Sequence, residues 1–446
     1  MESDQRLLRM IDADLAMLPA GPIAIAFSGG LDSSALLHLL ASSPEVRERG
    51  LRAIHVDHGL NLRSGAWAMH CAQITQQLDV PLQIMRTAVE TARGLGPEAA
   101  ARSARYSAFE RALGENEILA LAHHRDDQTE TVMLKLLRGS GPQGLAAMRR
   151  LRRLGKAWAW RPLLDVPRDD LRQYAQRHQL EWIDDPSNED IRIERNFLRQ
   201  DVLPGLRGRW PTADASICQS ANWIRAAVDF IDTESSRALA SLQGLDPATL
   251  HYQGWLDLPD ALRDPVLRLW LRNLDLAQPN QHQVGELERQ LKTAREDKLP
   301  CVRFPGTELH RYRELLYAMP PLEMPKPGWE IIWDGQPLAL PASLGTLLLE
   351  NPTGLARPLA KADHLLVRFR QGGERLRLVA GNHHRELRDL FQEAGIPPWQ
   401  RGRIPMILNH QGDLLSVGDL WQSALGRAEF TRLDRRLQWN HALTVQ

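Results

Sequence analysis

The 446-residue sequence is short of cysteine, with Cys71, Cys218 and Cys301 the only three. Thiols so few and scattered cannot build a disulfide framework, a CxxC redox pair, a zinc knuckle or a Cys-ligated cluster, so thiol and metal-thiolate chemistry fall back. Long apolar runs are missing too: nothing approaches the ~20 residues that cross a bilayer. The opening MESDQRLLRM has neither the basic start nor the apolar core of a secretory signal, so a cytoplasmic location is expected. Net charge is absent, with 55 Lys+Arg against 55 Asp+Glu, and any nucleic-acid surface must come from local clustering. Lysine is confined to Lys135, Lys156, Lys292, Lys298, Lys326 and Lys361, which leaves arginine carrying nearly all the positive charge. Its planar fork suits phosphates and base edges, although a GC-rich genome gives the same bias. No GxxxxGK[ST] occurs, which excludes a Walker-type nucleotide site.

What remains is an ordinary globular composition, 43% hydrophobic and 25% charged. At ~100–200 residues per domain the length suggests about three domains. From Pro22 to Leu180 short apolar runs alternate with helical stretches: Ile23–Phe27 then SSALLHLLAS, Leu51–Val56 then Trp67–Leu78, Pro81–Met85 then PEAAARSARYSAFERAL, Ile118–Ala122 then TETVMLKLL. Repeated strand and helix predict an α/β fold with a doubly wound parallel sheet, whose chemistry sits beyond the carboxyl ends of its strands. We read residues 1–213 as this first domain. Residues 214–322 read as a mostly α-helical middle domain. After the Pro- and Gly-rich MPPLEMPKPGWEIIWDG, residues 323–446 read as a small α+β domain.

The strongest local signal is a buried-type strand running through Ser28-Gly29-Gly30-Leu31-Asp32-Ser33 into a helix. Backbone N–H groups at such a turn point outward and bind phosphate, and two glycines without side chains let an anion approach. An ordinary capped strand–turn–helix explains the turn but not the paired glycines between serines. SGGLDS resembles the PP-loop of the N-type ATP pyrophosphatases, which split ATP to AMP and pyrophosphate to activate a carbonyl oxygen.

Further segments follow in order: HVDHGL at 55–60, EAAARSARY around Arg102 and Arg105, AHHRDDQTET at 122–131, RGSG at 138–141, RPLL at 161–164, DPSN at 185–188 and RNFLR at 195–199. This set, continued by FRQGGERLRL, RELRDLFQEAGIPPWQRGRIP and VGDLW near the end, resembles the tRNA(Ile)-lysidine synthetase family over nearly the whole chain. The resemblance implies a ligase that adenylates O2 of a wobble cytidine and lets the ε-amine of free lysine displace AMP from C2. Its partners would be tRNA(Ile) with a CAU anticodon and free L-lysine, and its cofactors ATP and Mg²⁺. No membrane is implied, and a homodimer is left open.

Residue by residue, the resemblance assigns the phosphate cradle to Ser28, Gly29, Gly30, Leu31, Asp32 and Ser33, with Asp32 also facing Mg²⁺. Asp127 and Glu130, spaced i,i+3 on a first helical turn, could grip a lysine ammonium, or could simply be acids favoured by the helix dipole. His123 ends a strand at the ligand edge, where a neutral imidazole could take the amine's proton, or pack. Arg102 and Arg105 share a helix face and could hold phosphates, or pair with Glu98. The resemblance places Arg195 and Arg199 at the reacting centre and gives His58 a contact with the nucleotide. Asn61 follows Leu60 where the family pattern has arginine, which weakens any role for Arg63. Two basic stretches could track tRNA phosphates: Arg149, Arg150, Arg152 and Arg153; and, among Arg368, Arg370, His383, His384 and Trp399, the set Arg375, Arg377, Arg385, Arg388, Arg401 and Arg403. Each could equally be a solvated face.

Other functions stay open on the residues alone. A tRNA thiolase would normally show a cysteine pair or cluster. An amidotransferase-type metabolite ligase would carry a nucleophilic cysteine near its start, yet none precedes Cys71. A non-catalytic tRNA-binding relic has no need of an intact SGGLDS, Asp127 and Glu130.

Overall fold

The computed structural model describes residues 2–57, 64–87, 97–294, 299–351, 358–378 and 383–440. They fall into two compact units, Met1–Ile231 and Asp232–Gln446. The first unit is built on β1 (Ile23–Ala26), β2 (Leu51–Asp57), β3 (Leu82–Arg86), β4 (Ile118–Ala120), β5 (Leu151–Leu154) and β6 (Ala157–Trp160), in the order β3-β2-β1-β4-β6-β5. All neighbours are parallel except β5, which returns antiparallel to β6.

Alternate residues of β1 serve opposite faces. Ile23 and Ile25 pack with Leu7 and Ile11 of α1 (Glu2–Leu15) and Leu36 and Leu40 of α2 (Leu31–Ser42); Ala24 joins Ile54, Leu119, Phe109 and Leu113 on the other side. A sheet buried on both faces requires unbroken apolar strands, which is why these four segments stood out in the sequence. The helices α3 (Pro44–Arg49), α4 (Ser64–Gln77), α5 (Pro97–Ala112) and α6 (Arg125–Leu137) complete the windings. The doubly wound reading is correct.

The second unit has helices at Tyr252–Leu256, Asp260–Asn273 and Gln281–Thr293, as the middle segment's pattern predicted. It also has a four-stranded antiparallel sheet of β7 (Thr249–His251), β8 (Cys301–Phe304), β9 (Thr307–Tyr312) and β10 (Leu315–Met319), in the order β7-β10-β9-β8. Val302, Phe304, Leu309, Leu316 and Ala318 bury against Trp255, Val266 and Trp270. Arg303 and Glu308 occupy the open face of this alternation, but the buried Arg311 breaks it, which hid the sheet. The remainder is α+β. Strands Glu330–Trp333, Leu365–Arg368, Met406–Leu408, Leu414–Val417 and Trp421–Gln422 form one sheet in that order, against which helix Leu387–Glu393 buries Leu387, Leu390 and Phe391.

Candidate active site

The strand order reverses beside β1, since β2 and β3 lie to one side and β4 to the other. A crevice opens at such a reversal beyond the carboxyl ends. Both sequence motifs arrive there: Ser28–Ser33 follows β1 and His123–Glu130 follows β4. The resulting cavity is about 670 Å³, lined by this loop and by Asp57, Arg102, Arg105, Tyr106, His123 and Arg168.

The glycine turn is tightly held. Gly29 has φ +81°, and a Cβ there would come within 2.9 Å of Cys71 Sγ. The Ile183 N–H donates to the Gly29 carbonyl at 2.9 Å. Ser33 Oγ donates to the Gly30 carbonyl at 3.0 Å and lies 3.0 Å from Ser28 Oγ. Gly30 starts α2 without a side-chain cap, so the first N–H groups of that helix, Leu31 and Asp32 among them, are left for an anion. The Leu31 side chain itself is buried in the core.

Opposite this turn, His124 caps α6: its Nδ1 accepts the Asp127 N–H at 3.4 Å while Asp127 Oδ2 accepts the His124 N–H at 3.1 Å. His124 lies 3.6 Å from Asp32 Oδ2 and 3.3 Å from Asp127 Oδ2, with Asp126 beyond. Burial works against charge on this imidazole, but Asp127, Asp32 and Asp126 prevail and raise its pKa. Asp32 shows the reciprocal effect: burial is outweighed by His124 and Arg168, and its pKa falls. Its neighbour His123 goes the other way, since burial, reinforced by Arg161, Arg102 and Arg195 against the pull of Asp127, pushes it down to about 3. Adjacent histidines are therefore pushed in opposite directions, His124 up and His123 down. His123 is neutral as read from the sequence, but a ring held so low is a weak proton acceptor until an anion enters.

That depression has a sign in stability. Unfolded His123 titrates near its ordinary value of ~6.5, so between there and about 3 the unfolded chain takes a proton that the folded one refuses. Stability from this site is complete above ~6.5 and falls as the pH drops through that window. His123→Asn should flatten the decline in melting temperature from pH 6.5 to 4, and parallel wild-type and variant slopes would show that burial does not hold this ring neutral.

Asp127 and Glu130 are not an open acid pair in this structure. Glu130, fully buried, accepts from Arg195 Nε and Arg199 Nε at 2.6 Å each. Asp127 Oδ1 accepts from Arg195 Nη2 at 2.9 Å and lies 3.5 Å from Arg199 Nη2. Burial is overcome by His124 and Arg195, which hold Asp127 at about 2. Arg195 sits in a short helix, Glu194–Phe197, and Arg199 in the π-type turn Leu198–Val202 that continues it, the kind of irregularity that re-aims a functional side chain.

A second basic cluster borders the cavity. The guanidinium groups of Arg102 and Arg152 stand 5.2 and 5.4 Å from the centre of the Tyr106 ring. Arg161, 2% exposed, donates to the Arg149 carbonyl at 2.7 Å while its Nε has no partner. Burial of the phenol is outweighed by Arg102, Arg161 and Arg152, which lower the Tyr106 pKa. Among the described residues no carboxylate pairs with Arg102, Arg152 or Arg161. Cations gathered without acids make a site for an anion.

The arginine run 149–153 is not one face. Arg149 pairs with Asp229 at 2.5 Å, and Arg150 is spent on Asp14 at 2.9 Å, on Asp165 and on the Pro162 carbonyl. Arg153 stacks on Trp158 at 3.9 Å, and Arg152, its neighbour on β5, turns to Tyr106 instead. Of the C-terminal set, Arg375, Arg377, Arg385 and Arg388 are exposed. Arg403 corrects the reading: it is 7% exposed and donates to the Glu323 carbonyl at 2.6 Å. Arg401 donates to the Ile396 carbonyl, and Trp399 packs on His310, Tyr312 and Tyr317, so neither is free to stack or to bind phosphate. His58, with Asn61 and Arg63, lies outside the described residues. Sequence reasoning missed Arg168, 3.5 Å from Asp32 Oδ1, and the clustering of Tyr106 with Arg161. Arg168 carries no local signal, because only the fold brings it to Asp32.

Residues 2–206 match the PP-loop domain family, 250–317 the TilS substrate binding domain and 365–439 the TilS substrate C-terminal domain. The chain is 43% identical to the tRNA(Ile)-lysidine synthase of Xanthomonas axonopodis pv. citri, covering 96% of each, and 43% identical to that of Xylella fastidiosa (strain Temecula1), covering 90% of this chain and 91% of the other. Among solved structures, the U34-tRNA thiolase NcsA from Methanococcus maripaludis aligns with 18% identity and a TM-score of 0.42, over 50% of this chain and 77% of that one.

Proposed function

We propose a division of labour among the residues of a chain that belongs to the tRNA(Ile)-lysidine synthase family. Its reaction is the ATP-dependent ligation of lysine to C2 of the wobble cytidine in tRNA(Ile) with a CAU anticodon. An adenylated tRNA is the intermediate, AMP and pyrophosphate are released, and lysidine moves decoding from AUG to AUA. The C2 carbonyl is a poor electrophile, so O2 must first become a leaving group. The observation that carries the assignment of roles is the chain of contacts from the SGGLDS turn through Asp32 and His124 to the Asp127–Glu130–Arg195–Arg199 cluster.

In this reading the α2 N–H groups with Ser28 and Ser33 hold the phosphates, and His124 and Arg168 flank the Asp32 carboxylate beside them. Asp32 Oδ1 is buried and accepts no hydrogen bond, Arg168 standing 3.5 Å away, which fits a carboxylate oxygen that would hold Mg²⁺ against the phosphates once the guanidinium moves to them. Such an ion would shield their negative charge. Arg102, Arg152 and Arg161 around Tyr106 hold a further phosphate, from ATP or from the nucleotide being modified. Asp127 and Glu130 receive the lysine ammonium by exchanging partners with Arg195 and Arg199, which then face the anionic intermediate. His123, neutral at the cavity wall, accepts the amine proton once phosphates have raised its basicity.

The domain reading of 1–213, 214–322 and 323–446 is supported by the three family matches, which fall one in each. No helix among the described residues is long and apolar enough to cross a membrane, and ATP, lysine and tRNA as substrates favour the cytoplasm. Exposed Arg375, Arg377, Arg385 and Arg388 hold tRNA phosphates. Replacing Arg375, Arg377 and Arg388 together by alanine should make the plot of log affinity for tRNA against log salt shallower by about 2–3, one counterion per lost phosphate contact. An unchanged slope moves the RNA surface elsewhere.

The reaction is tested by incorporation of labelled lysine into an unmodified tRNA(Ile) transcript with Mg·ATP, beside methionine tRNA with the same anticodon. Lysine in the isoleucine tRNA alone, with AMP released, is expected. AMP without lysine would keep the adenylation half only, and neither product from folded protein would defeat the reading.

A further inference from the structure

The β8–β9 hairpin of the second unit carries a side-chain group for which the ligation has no use. Cys301 and His310 are direct cross-strand partners, and Glu308, two residues before His310, lies on the same face. Their donor atoms converge. His310 Nε2 is 3.8 Å from Cys301 Sγ and 2.8 Å from Glu308 Oε2, and the three atoms lie within 4.8 Å of one another. A tetrahedral ion with bonds of ~2.3 Å to sulfur and ~2.0 Å to nitrogen and oxygen sets a sulfur–nitrogen edge of about 3.6 Å and a nitrogen–oxygen edge of about 3.3 Å. Both spacings are within about 0.5 Å of what such an ion would impose.

We propose that Cys301, Glu308 and His310 bind one zinc-class divalent ion, with solvent in the fourth position. One sulfur, one imidazole nitrogen and one carboxylate oxygen form a mixed set that suits zinc or cobalt and disfavours magnesium or calcium. The supporting contacts are in place. Arg303 Nε donates to Glu308 Oε1 at 2.8 Å, so Oε2, which accepts from His310 Nε2 in the metal-free site, is the oxygen that would turn to the ion, and the His310 ring lies against Trp399 with centroids 4.6 Å apart. Cys301 is only partly buried. Binding releases the thiol proton of Cys301 and shifts the proton that His310 Nε2 donates to Glu308 over to Nδ1, which frees the Nε2 lone pair for the ion. Trp399 also touches Tyr312 and Tyr317, so the site lies where these strands meet the segment around residue 399. No sequence pattern announces the site, because two ligands two residues apart face a third across a turn, with no CxxC or HxxxH spacing.

The test uses the full chain stripped with a chelator and titrated with Co²⁺. A near-ultraviolet thiolate-to-cobalt charge-transfer band should grow to one equivalent and vanish on adding Zn²⁺. Cys301→Ser should abolish it. Glu308→Gln, which keeps shape and removes only the charge, should weaken cobalt binding about tenfold or more while the fold persists by circular dichroism. No band in the wild-type chain, a band that survives Cys301→Ser, or unchanged affinity in Glu308→Gln overturns the proposal. None of these readouts depends on tRNA or lysine.

Discussion

Asp32→Asn should reduce release of AMP and pyrophosphate by at least about two orders of magnitude while tRNA binding persists. Asp32 stands on the first turn of α2, where the helix dipole favours its charge, between His124 at 3.6 Å and Arg168 at 3.5 Å. Its amide would keep the volume but lose the charge that raises the His124 pKa and pairs with Arg168. The phosphate turn would therefore survive with its electrostatics changed. A purely structural role would lower the melting temperature without this selective loss of the adenylation step. Single-turnover AMP release from tRNA and ATP, read beside a filter-binding isotherm for tRNA, separates the two. An unaltered AMP rate would remove Asp32 from the reaction, and a parallel loss of tRNA binding would make it a folding residue.

Features fixed by neighbouring residues were legible in the sequence. The β1 strand IAIA, with both faces buried, has to be continuously apolar, and the Ser28–Ser33 turn is a local geometry that two glycines announce. The i,i+3 spacing of Asp127 and Glu130 places both on one helix face in any fold. Their occupancy was not legible, because Arg195 and Arg199 lie 65 and 69 residues beyond Glu130 and reach it only through tertiary packing. Exposure was equally opaque. Arg403 and Arg388 look alike as charged residues in an amphipathic stretch, yet one is closed over by the Glu323 backbone and the other is open. The anion cluster around Tyr106 draws on α5, β5 and the segment after β6, and no window along the chain contains all three.

The same long-range pairing makes Glu130 the most consequential single position. Glu130→Ala would leave Arg195 and Arg199, both largely buried, sharing Asp127 alone, and breaking a buried pair in this way costs about 3–5 kcal/mol. A fall in melting temperature is expected, but it would not reveal function. Glu130→Gln is the sharper probe, since its carbonyl can still accept from one arginine while the site loses one negative charge. If the lysine ammonium binds by taking over a carboxylate from an arginine, the amide should raise the KM for lysine at least about tenfold, equivalent to the ~1.4 kcal/mol of one weakened charge contact, with the KM for ATP little changed. Adding Arg199→Gln restores the local charge balance, so the double variant should recover stability relative to Glu130→Gln alone but not lysine affinity. Recovery of both would mean that the cluster only supports the fold. An unchanged KM for lysine in Glu130→Gln would place the ammonium elsewhere in the crevice.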